Sequence, residues 1–106
     1  MTEKNNVLCE SITYVYVCGF YTSDNQRGRH IIKTYVNEQD ALNKMIQLCK
    51  TDENDGGYLW LFDEININNI DSVTTYQEFN KFIMNNCKHY YDDWVYYLYI
   101  EKVKLE

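Results

Sequence analysis

The amino-acid sequence predicts an α+β domain with the element order β-β-α-β-α-β, one sheet with two helices packed on one face. Three observations lead there. Residues 11–22 and 94–105 alternate in side-chain character with a period of two, as strands half-covered by a core do. Residues 37–49 and 75–86 instead bring apolar side chains back at helical spacing, which makes one-sided helices. A chain of 106 residues is long enough to bury one core and too short for two. Residues 1–106 are therefore expected to form a single domain, with residues 1–10 a candidate N-terminal tail.

In the first strand Ile12, Tyr14, Tyr16, Cys18 and Phe20 share one face, and Thr13, Val15, Val17, Gly19 and Tyr21 share the other. Residues 22–28 are polar and turn-forming, and residues 29–36, with β-branched Ile31, Ile32, Thr34 and Val36, resume the strand pattern. The two strands are expected to pair as a hairpin. Asn37 has the chemistry of a helix N-cap, and Glu38 and Asp40 fall where carboxylates complement the free amides of a first turn. Ala41, Leu42, Met45, Ile46 and Cys49 make the apolar stripe of that helix.

Residues 51–57 combine acids with paired glycines and predict a loop. The almost wholly apolar run 58–62 predicts a short third strand buried on both faces. The Asn-rich stretch 66–72 is expected to be irregular. Thr75-x-x-Glu78 has the spacing of a capping box, and Phe79, Phe82 and Ile83 form the buried stripe of a second helix that stops near Asn85 or Asn86. In the last strand Trp94, Tyr96, Leu98 and Ile100 lie on one face and Val95, Tyr97, Tyr99, Glu101 and Val103 on the other.

Charge and composition narrow the function classes. Ten basic residues against sixteen acidic ones leave a net charge of −6, and no cluster of cations forms the stripe that a nucleic-acid backbone requires, so direct nucleic-acid binding is disfavoured. The acids fall in scattered pairs, Asp52 with Glu53, Asp63 with Glu64 and Asp92 with Asp93, which suits a solvated surface better than a mimic of nucleic acid. Cys9, Cys18, Cys49 and Cys87 make no C-x-x-C pair and no short metal-ligand spacing, so reduced, mostly buried thiols and no metal or cofactor are expected. Asn 12, Ile 9 and Lys 8 against Ala 1, Arg 2 and no Pro favour AT-rich codons, which points to an AT-rich genome and first to a large DNA virus.

The run from Tyr14-Val15-Tyr16-Val17 through the polar loop to His30-Ile31-Ile32-Lys33-Thr34-Tyr35-Val36, then Asn37-Glu38-Gln39-Asp40-Ala41, resembles a strand-strand-helix unit of small uncharacterised phage and large-DNA-virus proteins. Those proteins often end in a strand similar to residues 97–106. The resemblance implies the hairpin-helix order and carries no functional residues across. No apolar run approaches the roughly 20 residues needed to cross a membrane. Met1-Thr2-Glu3-Lys4-Asn5-Asn6 lacks the basic-then-apolar order of a signal peptide. The expectation is a soluble protein that is not secreted and acts in the host cytoplasm or the virion.

Eleven tyrosines, most of them in strand-like runs, indicate binding rather than catalysis, because an apolar ring with a polar tip suits a face that is wet alone and dry against a partner. With Val15 and Val17 turned to the helices, Tyr14, Tyr16, Cys18 and Phe20 would face outward. Tyr97, Tyr99 and Glu101 would join them from the last strand, and Lys33 and Tyr35 from the second. The expected interaction surface is Tyr14, Tyr16, Phe20, Tyr35, Tyr97 and Tyr99. It would form a homodimer through open sheet faces or along the first or last strand, with a viral or host protein as the other candidate partner. A base-stacking platform is a third reading. The enzyme or metal alternative rests on the cluster Cys87, His89, Asp92 and Asp93, which has the parts of a Cys-His nucleophile and no oxyanion-hole signature. Arg27, Gly28 and Arg29 form a candidate anion loop that matches no phosphate-binding fingerprint.

Overall fold

The computed structural model describes residues 13–86, 89–91 and 94–105. The tail expected at residues 1–10 lies outside them, as do Cys87, Asp92 and Asp93 of the proposed cluster. Strand β1, Thr13–Thr22, is central: it pairs antiparallel with β2, Gly28–Tyr35, on one side and with the last strand, Trp94–Leu105, on the other. A three-residue strand, β3 (His89–Tyr91), adds to the outer side of that last strand, β4, and the sheet order is β2-β1-β4-β3. Two helices, α1 (Glu38–Cys49) and α2 (Tyr76–Asn86), lie between β2 and β3 in the chain. None of the described helices is long and apolar enough to cross a membrane.

The α+β class is as expected, but the long elements run β-β-α-α-β and not β-β-α-β-α-β. The strand expected at residues 58–62 is a 3-10 turn, Leu59–Leu61. Backbone hydrogen bonding decides this. The Tyr58 N–H donates to the Leu48 carbonyl at 2.8 Å and the Leu59 N–H to the Thr51 carbonyl at 2.6 Å, so the run folds back on the end of α1. Gly57 lies so close to Thr51 that any Cβ there would collide with it. The apolar side chains of the turn then close the end of the sheet: the Tyr58 ring sits 5.1 Å from Phe20, and Trp60 meets Tyr96 edge-on at 6.2 Å.

Both helices pack on the same face of the sheet. Cys18, Leu98 and Ile100 supply its buried centre, Ala41, Leu42, Met45 and Cys49 come from α1, and Phe79 and Ile83 from α2. Full burial of a side chain such as Leu42 or Phe79 stabilises the fold by about 1.5–3 kcal/mol. Small residues meet where α1 crosses β1, and the Cys18 thiol donates to the Ala41 carbonyl at 3.9 Å.

The helix starts follow local chemistry. Asn37 Oδ1 accepts from the N–H groups of Gln39 and Asp40 at 2.8 and 3.2 Å. Thr75 Oγ1 accepts the Glu78 N–H at 3.1 Å, while the Glu78 carboxylate reaches back to the N–H and hydroxyl of Thr74, both at 2.8 Å. These bonds, the Thr74 N–H foremost, hold the Glu78 carboxyl below its ordinary value. Glu38, in the first turn of α1, accepts the Tyr76 N–H at 2.8 Å and so joins the two helix starts.

Candidate functional site: the open sheet face

Cross-strand register decides which side chains share a face, because residues directly opposite one another point the same way. Cys18 lies opposite Ile100 and Phe20 opposite Leu98. Since Leu98 and Ile100 are core, Tyr16, Cys18 and Phe20 must face the helices with them. Val17 lies opposite Glu101, Gly19 opposite Tyr99 and Tyr21 opposite Tyr97, and these form the second face. No described helix or turn lies on it.

This face is built around Gly19. The Tyr99 ring crosses the position that a Cβ on Gly19 would occupy, so a strand glycine is covered by its aromatic neighbour. The Arg29 guanidinium sits 4.8 Å from the centre of the Tyr99 ring and 2.7 Å from the Glu101 carboxylate. Between them Gly19 and Arg29 leave Tyr99 only 8% exposed. Burial pushes its hydroxyl above the ordinary value, against the opposing pull of Arg29. Tyr21 and Tyr97 stack on each other at 4.9 Å. Val15, Val17 and Val103 extend the face on one side, and Ile31, 68% exposed, extends it toward β2.

The six residues of the expected interaction surface therefore divide between two faces. Tyr14, Tyr16, Phe20 and Tyr35 belong to the helix side, and Tyr97 and Tyr99 to the open side. Tyr16 is 9% exposed and meets Tyr76, the first residue of α2, edge-on at 5.8 Å. Phe20 and Tyr35 pack against the core, and the Lys102 ammonium sits over Tyr14 at 4.3 Å. The orientation expected for Val15 and Val17 is reversed, and these valines, with Tyr21, are the surface residues that the sequence reading missed. The available signal was Gly19, an interior strand glycine that marks a close approach. Lys33 and Tyr35 follow the helix side because a bulge at Ile32 shifts the register of β2.

Two further geometries bear on the readings from sequence. With β2 and β4 on its two sides, β1 has no free edge, so pairing along the first strand is closed off. At β4 the Asn80 side chain donates to the Ile100 carbonyl at 2.7 Å and accepts its N–H at 2.9 Å, acting as a one-residue strand on that edge. A base-stacking platform needs free ring faces: Tyr99 has Gly19 on one side and Arg29 on the other, and Tyr21 and Tyr97 each lend one face to the other.

In the loop after β1 the Asp24 carboxylate accepts the Gln26 N–H at 2.8 Å, the main cause of its lowered pKa. His30 Nε2 lies 2.6 Å from the Gln26 carbonyl. Arg27 is exposed, Gly28 takes φ 118°, and Arg29 turns away to Glu101. Of the two arginines of the candidate anion loop, Arg29 is thus paired with Glu101 and Arg27 is exposed. Of the Cys87, His89, Asp92 and Asp93 cluster only the backbone of His89 is described, in β3. Cys18 and Cys49 are free, buried thiols, and burial pushes Cys18 up to about 11. Among the described residues no group of three His, Cys, Asp or Glu side chains is placed to hold a metal ion.

Comparison with protein-family models, with curated proteins and with solved structures found no match for this chain.

Proposed function

We propose that this chain is a non-enzymatic viral accessory or virion protein that acts through protein-protein contacts, as a homodimer closed through the open sheet face. One observation carries the reading. On a molecule of net charge −6, the exposed face is electroneutral: its strand residues carry one cation, Arg29, and one anion, Glu101, already paired with each other. The rest of the face is valine, tyrosine, isoleucine, leucine, threonine and Gly19. Two copies can meet there about a two-fold axis without bringing like charges together. Removal of apolar area from water would contribute about 25 cal/mol per Å². The viral setting rests on the AT-rich composition and on the likeness of residues 14–41 to small phage and viral proteins.

Sedimentation equilibrium over a range of concentrations tests the homodimer. A reversible monomer-dimer equilibrium is expected, tightening as salt is added because the face itself has no net charge to screen while the −6 on each copy repels the other. A chain that remains monomeric at high micromolar concentration contradicts it.

A further inference from the structure

Strand β2 forms the outer edge of the sheet on the side away from β4. The Ser23 N–H donates to the Val95 carbonyl at 3.1 Å, continuing the β1-β4 ladder and assigning odd-numbered β1 residues to that neighbour. The even-numbered residues then bond to β2, and their partners Gly28, His30, Lys33 and Tyr35 turn their backbone groups inward. Arg29, Ile31 and Thr34 turn theirs outward, where no described residue pairs with them.

Edges of this kind are usually blocked by charged side chains or by a bulge. Here the basic side chains fold back onto their own sheet. Arg29 lies on Tyr99 and Glu101, His30 reaches the Gln26 carbonyl, and Lys33 leans over the Tyr35 ring at 5.2 Å. The bulge comes only at Ile32, so the rim from Gly28 to Ile31 is regular and open. Its charge is the reverse of the molecule's. No carboxylate occurs between Asp24 and Glu38, whereas Arg27, Arg29 and Lys33 all fall in that interval. A second β2 would bring cations against cations, and an acidic strand would bring carboxylates to Arg27 and Lys33.

We propose that the outer edge of β2 takes up one extended, acidic, proline-free segment of a partner protein as an additional strand, through the backbone of Arg29 and Ile31. The inference rests on the protein-contact reading but not on the homodimer, which uses the side chains of the open face and not the backbone groups of this edge.

Selection of short linear peptides from a random display library on the full chain at low salt tests it. Enriched peptides are expected to alternate Asp or Glu with β-branched residues and to slow amide exchange at Arg29 and Ile31. Ile31→Pro, which removes an outward N–H, should weaken them roughly tenfold or more. The double variant Arg27→Glu with Lys33→Glu should weaken them roughly tenfold at low salt and keep both fold and self-association. The second variant decides the matter if the proline variant does not fold. Enrichment of no peptide, protection of the open face instead of β2, or selected peptides that are basic would each overturn the proposal. The homodimer is judged separately, by sedimentation of the unmodified chain.

Discussion

Gly19 sets the local geometry of the open face, because the Tyr99 ring lies in the space a side chain there would need. Gly19→Ala is expected to displace the ring from beneath Arg29 and to destabilise the fold by about 1–3 kcal/mol. In urea melts, the double variant Gly19→Ala with Tyr99→Leu should cost less than the sum of the two single changes, and strict additivity would contradict the contact. On the other face the Cys18 thiol is held protonated by burial up to about pH 11, where the unfolded thiol ionises near 9. The folded state therefore binds the proton more tightly, and stability is fully present below pH 9 and lost as pH rises from 9 to 11. The slope for this one group is on the order of 1 kcal/mol per pH unit. Half-buried Tyr58 and buried Tyr99 shift in the same direction. Melts under reducing conditions at pH 8 and pH 10 check this, and Cys18→Ala should flatten the dependence without removing it.

At the scale of elements, what the sequence made legible was what neighbouring residues decide. Asn37 and Thr75 cap the two helices because a side-chain oxygen needs only the amides two or three residues on, and the stripes of α1 and α2 follow from helical spacing alone. The run 58–62 misled because a short apolar segment has the same composition whether it pairs in a sheet or packs over its end. Its fate depends on Leu48 and Thr51, which position its backbone, and on Phe20 and Tyr96, which receive its rings. Asn80 was invisible for a related reason: nothing in its neighbourhood announces that its amide pairs with Ile100 twenty residues away. Asn80→Ala is expected to cost about 1–3 kcal/mol, since it leaves a strand N–H and carbonyl without their partner. Amide exchange at Ile100 should quicken with it, and an unchanged Ile100 amide would show that the edge is satisfied in another way.

At the scale of the whole molecule, period-two alternation located β1 but not its orientation, because both of its faces carry apolar and aromatic residues. The orientation comes from pairing with β4, far later in the chain, where Cys18 meets Ile100 and Phe20 meets Leu98, and a single-residue slip there exchanges the faces. Tyr97, Tyr99 and Glu101 could be placed outward because Leu98 and Ile100 on the alternate positions are plainly apolar. Tyr16 and Phe20 could not be placed inward on the same ground. The central claim is that the electroneutral face of Val15, Val17, Tyr21, Tyr97 and Val103 joins two copies. Its most direct test is sedimentation equilibrium of the double variant Val17→Lys with Val103→Lys beside the unmodified chain. Both lysines would flank Glu101 in a monomer, which the fold can tolerate, but a dimer would have to bury four ammonium groups. A folded monomer from a dimeric parent is the expected result, and a variant that dimerises as tightly as its parent would contradict the claim.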